Sequence, residues 1–266
     1  MQTRSTQEYL TEIDKDPMTV YVLHEKSERR FPIHHHQKDQ LTYVEGGIAY
    51  VHISTKTFVI PAHHYIWIPR QLDHFIQARY GATAIRTLYF YSYDNDTDPF
   101  YNKMGIYPVT NLLKEMILFT EQWNGEIEKT SKAFTFLAAI KNTLPQLSTQ
   151  ALPIVLPTTT NERIQPVLQY LNQHFDESLT LGSVSREFGF SERTLSRLFQ
   201  STLNISFLQY LKQLRVVKAV GMMLQTDLNL SEIAYATGYN SLSSFSNSFY
   251  EMTNRRPSEF AGALAK

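Results

Sequence analysis

The feature that most restricts what this chain can fold into is a pattern that occurs twice near its C-terminus. In the first copy a short run with Leu181, Val184 and Phe188 on one face leads to Gly189. A second run then follows, capped by Ser191, with Leu195, Leu198 and Phe199 facing inward. In the second copy Ile233 and Ala234 lead to Gly238, and Phe245 and Phe249 follow after a turn one residue longer. A glycine between two helical runs supplies a positive φ at little steric cost, so each copy reads as a helix-turn-helix corner. One such corner occurs in any helical bundle, and the matched duplication is what makes the signal specific. Between the copies Phe207, Leu208, Leu211, Leu214, Val217, Val220 and Leu224 recur at helical spacing, which predicts one long helix joining the two corners. Two reading heads on one strut suit successive major grooves of duplex DNA, ~34 Å apart.

The N-terminal part reads differently. From about 18 to 93 the residues alternate apolar and polar, as in Met18–Leu23, Leu41–Val44, Ile48–Ile53, Thr57–Ile60, Tyr65–Ile68 and Ile85–Tyr91. Breakers fall between these runs at Gly46-Gly47, Pro61, Pro69 and Gly81, and no helical pattern separates them, which predicts an antiparallel sandwich or barrel. From about 109 to 143 the period becomes helical, with stripes Leu112, Leu113, Met116, Ile117, Phe119 and Phe134, Leu137, Ala138, Ile140 on either side of Asn124-Gly125. Three prolines and a threonine run between 144 and 160 predict a linker. Beyond it Ile164, Val167, Leu168, Leu171 and Phe175 form a further stripe, with Pro166 in the first turn after an Asn161 cap. The expected organisation is an N-terminal domain over 1–143, a linker over 144–160 and an all-α DNA-binding domain over 161–266.

Composition bears on the compartment and on the partner. There is no cysteine among the 266 residues, which excludes disulfides and thiolate metal sites and favours a reducing interior. The N-terminus is polar and acidic, and no apolar run reaches membrane-spanning length, so the expectation is a cytoplasmic protein with no membrane partner. Formal net charge is zero. Beyond Thr158 the cations are Arg163, Arg186, Arg193, Arg197, Lys212, Arg215, Lys218, Arg255, Arg256 and Lys266, ten against nine carboxylates. Bulk charge therefore neither supports nor forbids phosphate binding, and the placement of these cations decides.

Ser191-x-x-Thr-Leu-x-Arg-Leu-Phe199, Ile205-Ser-Phe-x-x-Tyr-Leu-x-x-x-Arg215, Ala219, Ile233-Ala234, Gly238-Tyr239, Ser241, Phe245-Ser246, Phe249 and Arg256-Pro-Ser-Glu-Phe260 together resemble the AraC/XylS transcription regulators. The resemblance covers Leu179 to Phe260. It implies a bacterial regulator or activator that binds double-stranded DNA and contacts RNA polymerase. Outward Arg193, Ser196 and Arg197 match DNA-touching positions of the first reading helix, and Leu242, Ser243, Ser246 and Asn247 those of the second. Asn247 stands where the family often has a basic residue, so the second head is expected to use adenine contacts and thymine-methyl packing by Leu242. Arg255 and Arg256 are candidate phosphate contacts or a helix-terminus charge.

His34-x-His36-x-x-x-Gln40, Gly46 and Pro69-x-x-x-x-His74 resemble the cupin or jelly-roll motif, which implies a β barrel of the kind often fused to such regulators. Metal-binding cupins have glutamate where Gln40 stands, and a neutral amide is a poorer ligand. Three readings stay open here. One is a small-effector pocket lined by His34, His36, Gln40, Tyr43, Trp67 and His74. The others are a hydrogen-bonded structural cluster and a metal site, and neither metal nor cofactor is expected. Alternation sends His35 to the opposite face from His34 and His36. No Gly-x-Ser-x-Gly elbow or phosphate-cradling glycine loop is present, so no catalytic residue is assigned. The alternatives are a metal-dependent cupin enzyme fused to a DNA-binding domain, a regulator whose barrel is purely structural, and an interaction scaffold that does not bind DNA. The Leu112–Phe119 stripe is a candidate homodimer face or a packing face on its own barrel.

Overall fold

The computed structural model describes residues 6–25, 32–79, 84–148, 151–152 and 154–264, and Gly81 lies outside them. The chain divides into two compact units, one of Met1–Val51 and Ile60–Leu152, the other of His52–Val59 and Pro153–Lys266. In chain order the N-terminal elements are α1 (Thr6–Ile13), β1 (Val20–Glu25), β2 (Asp39–Val44), β3 (Ile48–Ile53), β4 (Lys56–Pro61), β5 (His64–Ile68), β6 (Phe75–Arg79), β7 (Ile85–Phe90), β8 (Gly105–Pro108), α2 (Asn111–Phe119), β9 (Gly125–Ile127) and α3 (Lys132–Leu147). Six strands form a sheet of order β8-β5-β2-β7-β1-β9, antiparallel at every pairing. A second sheet has order β10-β4-β3-β6, where β10 is Val155–Pro157.

Register fixes which residues share a face. Leu41 lies opposite both Leu88 and Trp67, and Tyr43 lies opposite Tyr65, so these side chains project to one side of the six-stranded sheet. There they join Val20, Val22 and Phe90 in a core completed by Leu113 and Ile117 of α2 and by Phe134, Leu137, Ile140 and Leu144 of α3. Gln40, Thr42, Thr87 and Tyr89 project to the other side, since Gln40 pairs with Tyr89 and Thr42 with Thr87.

Two sequence expectations are corrected in the helices. The stripe on α2 is not one buried face: Leu113 and Ile117 are fully buried, but Leu112 is 61% exposed and Phe119 55% exposed. The helix α3 runs on to Leu147 through Pro145, into the stretch expected to be linker. A proline there cannot donate to the carbonyl four residues back, and the structure supplies a substitute, because the Tyr101 hydroxyl donates to the Lys141 carbonyl at 3.2 Å. Strands β8, β9 and β10, of three or four residues and containing glycine or proline, are too short to have shown alternation.

The second unit continues with α4 (Gln165–Gln173), α5 (Leu181–Glu187), α6 (Glu192–Leu203), α7 (Phe207–Gln225), α8 (Leu230–Ala236), α9 (Leu242–Thr253) and α10 (Pro257–Leu264). Asn161 accepts from Arg163 N–H in a turn before α4, which itself begins four residues after Asn161. The duplication is visible as geometry. Helices α5 and α8 have seven residues each, and α6 and α9 have twelve each. Both twelve-residue helices end on a left-handed asparagine, Asn204 (φ 57°) and Asn254 (φ 56°). Gly189 and Gly238 turn at φ 68° and 81°. The strut α7 buries Phe207, Leu211, Leu214, Val217 and Val220, whereas Leu208, expected on that stripe, is 58% exposed.

Candidate functional site

The outward face of α6 follows from its caps and its core contacts. Thr194 N–H donates to Ser191 Oγ, Leu195, Leu198 and Phe199 are buried, and this leaves Arg193, Ser196 and Arg197 exposed on the opposite side. In α9 Ser241 caps the helix, Phe245 and Phe249 are buried, Ser243 and Asn247 are exposed, Leu242 is 43% exposed and Ser246 is half-buried. Arg256, just before α10, reaches back to this face. Its Nη1 donates to Ser246 Oγ at 3.4 Å and to Asn247 Oδ1 at 3.3 Å, and the guanidinium lies over the Tyr250 ring. Arg256 thus brings a cation to the position where Asn247 itself lacks one. Arg255 is half-buried, and its N–H donates to Thr253 Oγ1.

Arg215 is a residue whose role the sequence did not disclose. From α7 its Nε donates to the Phe175 carbonyl at 2.8 Å and its Nη2 to the Glu177 carbonyl at 2.7 Å, with the guanidinium over Tyr239. A Cβ on Gly238 would fall 2.7 Å from Arg215 Nη2 and 2.8 Å from the Asp176 carbonyl. The glycine at the second turn is therefore required by crowding as well as by φ, whereas a Cβ on Gly189 meets nothing within 4 Å.

In the other unit four of the six residues expected to line an effector pocket come together and two do not. His34 bridges to His74 through paired backbone hydrogen bonds, which brings the two ring centroids to 4.6 Å with the planes tilted by 49°, and His36 packs beside them. Gln40 joins the rings from β2. Tyr43 and Trp67 lie across the sheet from Gln40, packed in the helix-covered core, where the Trp67 indole donates to the Tyr101 carbonyl. The period-two alternation of β2 separates Gln40 from Tyr43, so the six-residue pocket is corrected to the four-residue cluster His34, His36, Gln40, His74. His35 points away, exposed and 2.8 Å from Asp73 Oδ1.

The cluster is electrostatically neutral. Burial lowers the His34, His36 and His74 rings below the ordinary histidine range, His74 to about 3, reinforced by the neighbouring rings. The three offer ligand atoms within 4.8 Å of one another. The fourth donor that a cupin metal centre implies is here an amide, with no carboxylate among the described residues grouped with the three rings.

Comparison with known proteins concerns the second unit most directly. Residues 184–263 match the family described as "Helix-turn-helix domain". The chain is 23% identical over 233 residues to the HTH-type transcriptional regulator NimR of Escherichia coli (strain K12), covering 88% of this chain and 83% of NimR. It is 30% identical over 102 residues to an uncharacterized HTH-type transcriptional regulator of Staphylococcus aureus (strain MSSA476), and it spans 14% of that protein's length. Among solved structures, ToxT from Vibrio cholerae is similar over 93% of this chain and 98% of its own, at 13% identity and TM-score 0.40. The C-terminal domain of AraT from Geobacillus stearothermophilus is 31% identical over 40% of this chain and 88% of its own, at TM-score 0.38.

Paired helix-turn-helix units joined by one long helix, with this match, define a DNA-binding transcription regulator. Residues 184–263 form a helix-turn-helix domain of the AraC type, and the chain carries a further N-terminal domain built on antiparallel β-sheet. Among the described residues no helix is long and apolar enough to cross a membrane.

Proposed function

We propose that this protein is a sequence-specific, effector-modulated regulator that grips duplex DNA with α6 and α9. The observation that carries the proposal is the repeat itself, two corners of matching helix lengths and end caps, each leaving one polar helical face exposed. On the first face Arg193 and Arg197 suit guanine O6 and N7 or phosphate, with Ser196 between them. On the second, Ser243, Ser246 and Asn247 supply hydroxyl and amide groups, Leu242 an apolar surface for a thymine methyl, and Arg255 and Arg256 charge for the backbone. Because Arg256 occupies Asn247 Oδ1, the amide nitrogen of Asn247 is left to donate to base acceptors.

The N-terminal domain, which α3 extends from the expected 143 to Leu147, with the residues up to 160 leading on to 161–266, is a cupin-like module that sets DNA affinity in response to a small effector. The support is the resemblance of His34-x-His36-x-x-x-Gln40 and His74 to the cupin motif, together with the convergence of these four residues on the side of the sheet away from the helix-covered core. Enzymatic turnover by a metal-dependent cupin is disfavoured because the amide of Gln40 stands at the position of the glutamate ligand and, among the described residues, no carboxylate joins the histidines. The protein is taken to act in the cytoplasm with RNA polymerase, and the exposed Leu112 and Phe119 on α2 suit pairing with a second copy.

The test is binding of the full chain to promoter fragments across a salt series. Each phosphate contact contributes about 0.9 to the slope of log K against log salt, so about four contacts require roughly a hundredfold loss between 50 and 200 mM. Affinity that does not change with salt assigns the helices a scaffolding role.

A further inference from the structure

The cluster of His34, His36, Gln40 and His74 has the outline of a three-histidine metal centre and a different interior. Each ring is aimed by Nδ1 facing a backbone carbonyl: Pro32 at 2.8 Å for His34, Leu72 at 2.7 Å for His74, and Lys38 for His36. Such contacts orient metal-bound histidines, because they fix the proton on Nδ1 and turn the Nε2 lone pair inward. Between Nε2 of His36 and Nε2 of His74 lies one end of the Gln40 amide, at 2.7 and 3.0 Å, while its other end is 2.7 Å from Thr42 Oγ1.

Proton bookkeeping decides which end is which, since the oxygen and nitrogen of an amide are nearly isosteric. The oxygen, as placed, faces the rings. Each neutral imidazole has one N–H, and for His36 and His74 the carbonyls at Nδ1 claim it, so both Nε2 atoms are acceptors. An amide oxygen there would set lone pairs against lone pairs in a buried site, unless both rings carried a second proton in a place that disfavours charge. The amide nitrogen resolves this, with two hydrogens for two acceptors. The Thr42 hydroxyl then donates to the Gln40 oxygen, and Thr87, 3.2 Å away, donates to Thr42.

We infer that Gln40 turns its –NH2 group to both histidines and closes the centre as a neutral, metal-free hydrogen-bonded network. The two Nε2 lone pairs that a divalent ion needs are used by the amide. Gln40 is thus a selectivity residue, excluding cations from a site otherwise shaped to take them. Exchange of its nitrogen for oxygen removes both donors and sets a carboxylate among three ring nitrogens, which is a donor set that zinc and cobalt accept.

The experiment titrates the purified full-length chain and Gln40→Glu with Co2+, following visible absorption and metal content after desalting. Wild type is expected to retain no stoichiometric cobalt, and Gln40→Glu to bind one ion per chain at least a hundredfold more tightly. Histidine tautomers are read in parallel by long-range nitrogen–proton NMR on the wild type, where His36 and His74 are expected as the Nδ1–H form. If Gln40→Glu does not fold, Gln40→Ala serves, since deleting the amide frees the lone pairs and raises cobalt affinity above wild type. The inference is overturned by one equivalent of cobalt on the wild type that His74→Ala abolishes, by Nε2–H tautomers at His36 and His74, or by a folded Gln40→Glu that takes no cobalt.

Discussion

Arg197 stands on the exposed side of α6, opposite the buried Leu195 and Phe199, and its contribution is expected to be one contact rather than part of the core. Arg197→Ala should weaken operator binding by roughly 1–3 kcal/mol with an unchanged thermal midpoint. Quantitative gel shift on a single promoter checks the first part and calorimetry the second; full affinity in the variant removes Arg197 from the interface. At this scale the sequence was most legible where one residue's chemistry answers to its own helix. Positive φ at Gly189 and Gly238, the cap at Ser191 and the outward arginines of α6 all follow from local spacing. Arg215 was not legible, because its partners Phe175, Glu177 and Tyr239 come from two distant stretches of chain, and no periodicity announces a guanidinium bound to loop carbonyls. Tyr43 and Trp67 failed for the complementary reason, since polar or aromatic character suggested a pocket while strand alternation placed them on the other face.

At the scale of elements the two corners look alike and are not equally tolerant. Gly189→Ala meets only the conformational penalty of a left-handed residue, about 1–2 kcal/mol. Gly238→Val adds a side chain into the space held by Arg215 and the Asp176 carbonyl, so it should destabilise the unit by more and also weaken DNA binding. Urea midpoints of the two variants at unchanged slope test the ranking; equal losses show that crowding at Gly238 contributes nothing. The long helices were legible because apolar periodicity accumulates over their length. Short strands were not: β9 and β10 have three residues each, fewer than one full test of alternation. The overrun of α3 through Pro145 was hidden by a local rule that a distant hydroxyl satisfies.

Across the whole molecule pH should act on the N-terminal unit through opposing groups. His24, His34, His36 and His74 have folded-state values lowered by burial, so their contribution is complete above about 6.5 and is lost as pH falls toward the folded value, about 3 for His74. Asp39, buried near Lys141, is raised to about 6, and its contribution is the reverse, present below about 3.8 and lost as pH rises through 6. Four histidines outweigh one aspartate, and stability is expected to fall between pH 6.5 and 4. Denaturant unfolding at several pH values, followed by aromatic fluorescence, checks this. A flat profile that His74→Gln does not alter rules it out.

The twin corners have one last consequence. They share a scaffold, yet one presents paired guanidinium groups and the other hydroxyls, an amide and a borrowed arginine. A reader whose two hands differ has a front and a back. On the proposed reading a single copy is expected to lie on its operator in one direction only, and the stretch it covers to be lopsided rather than palindromic.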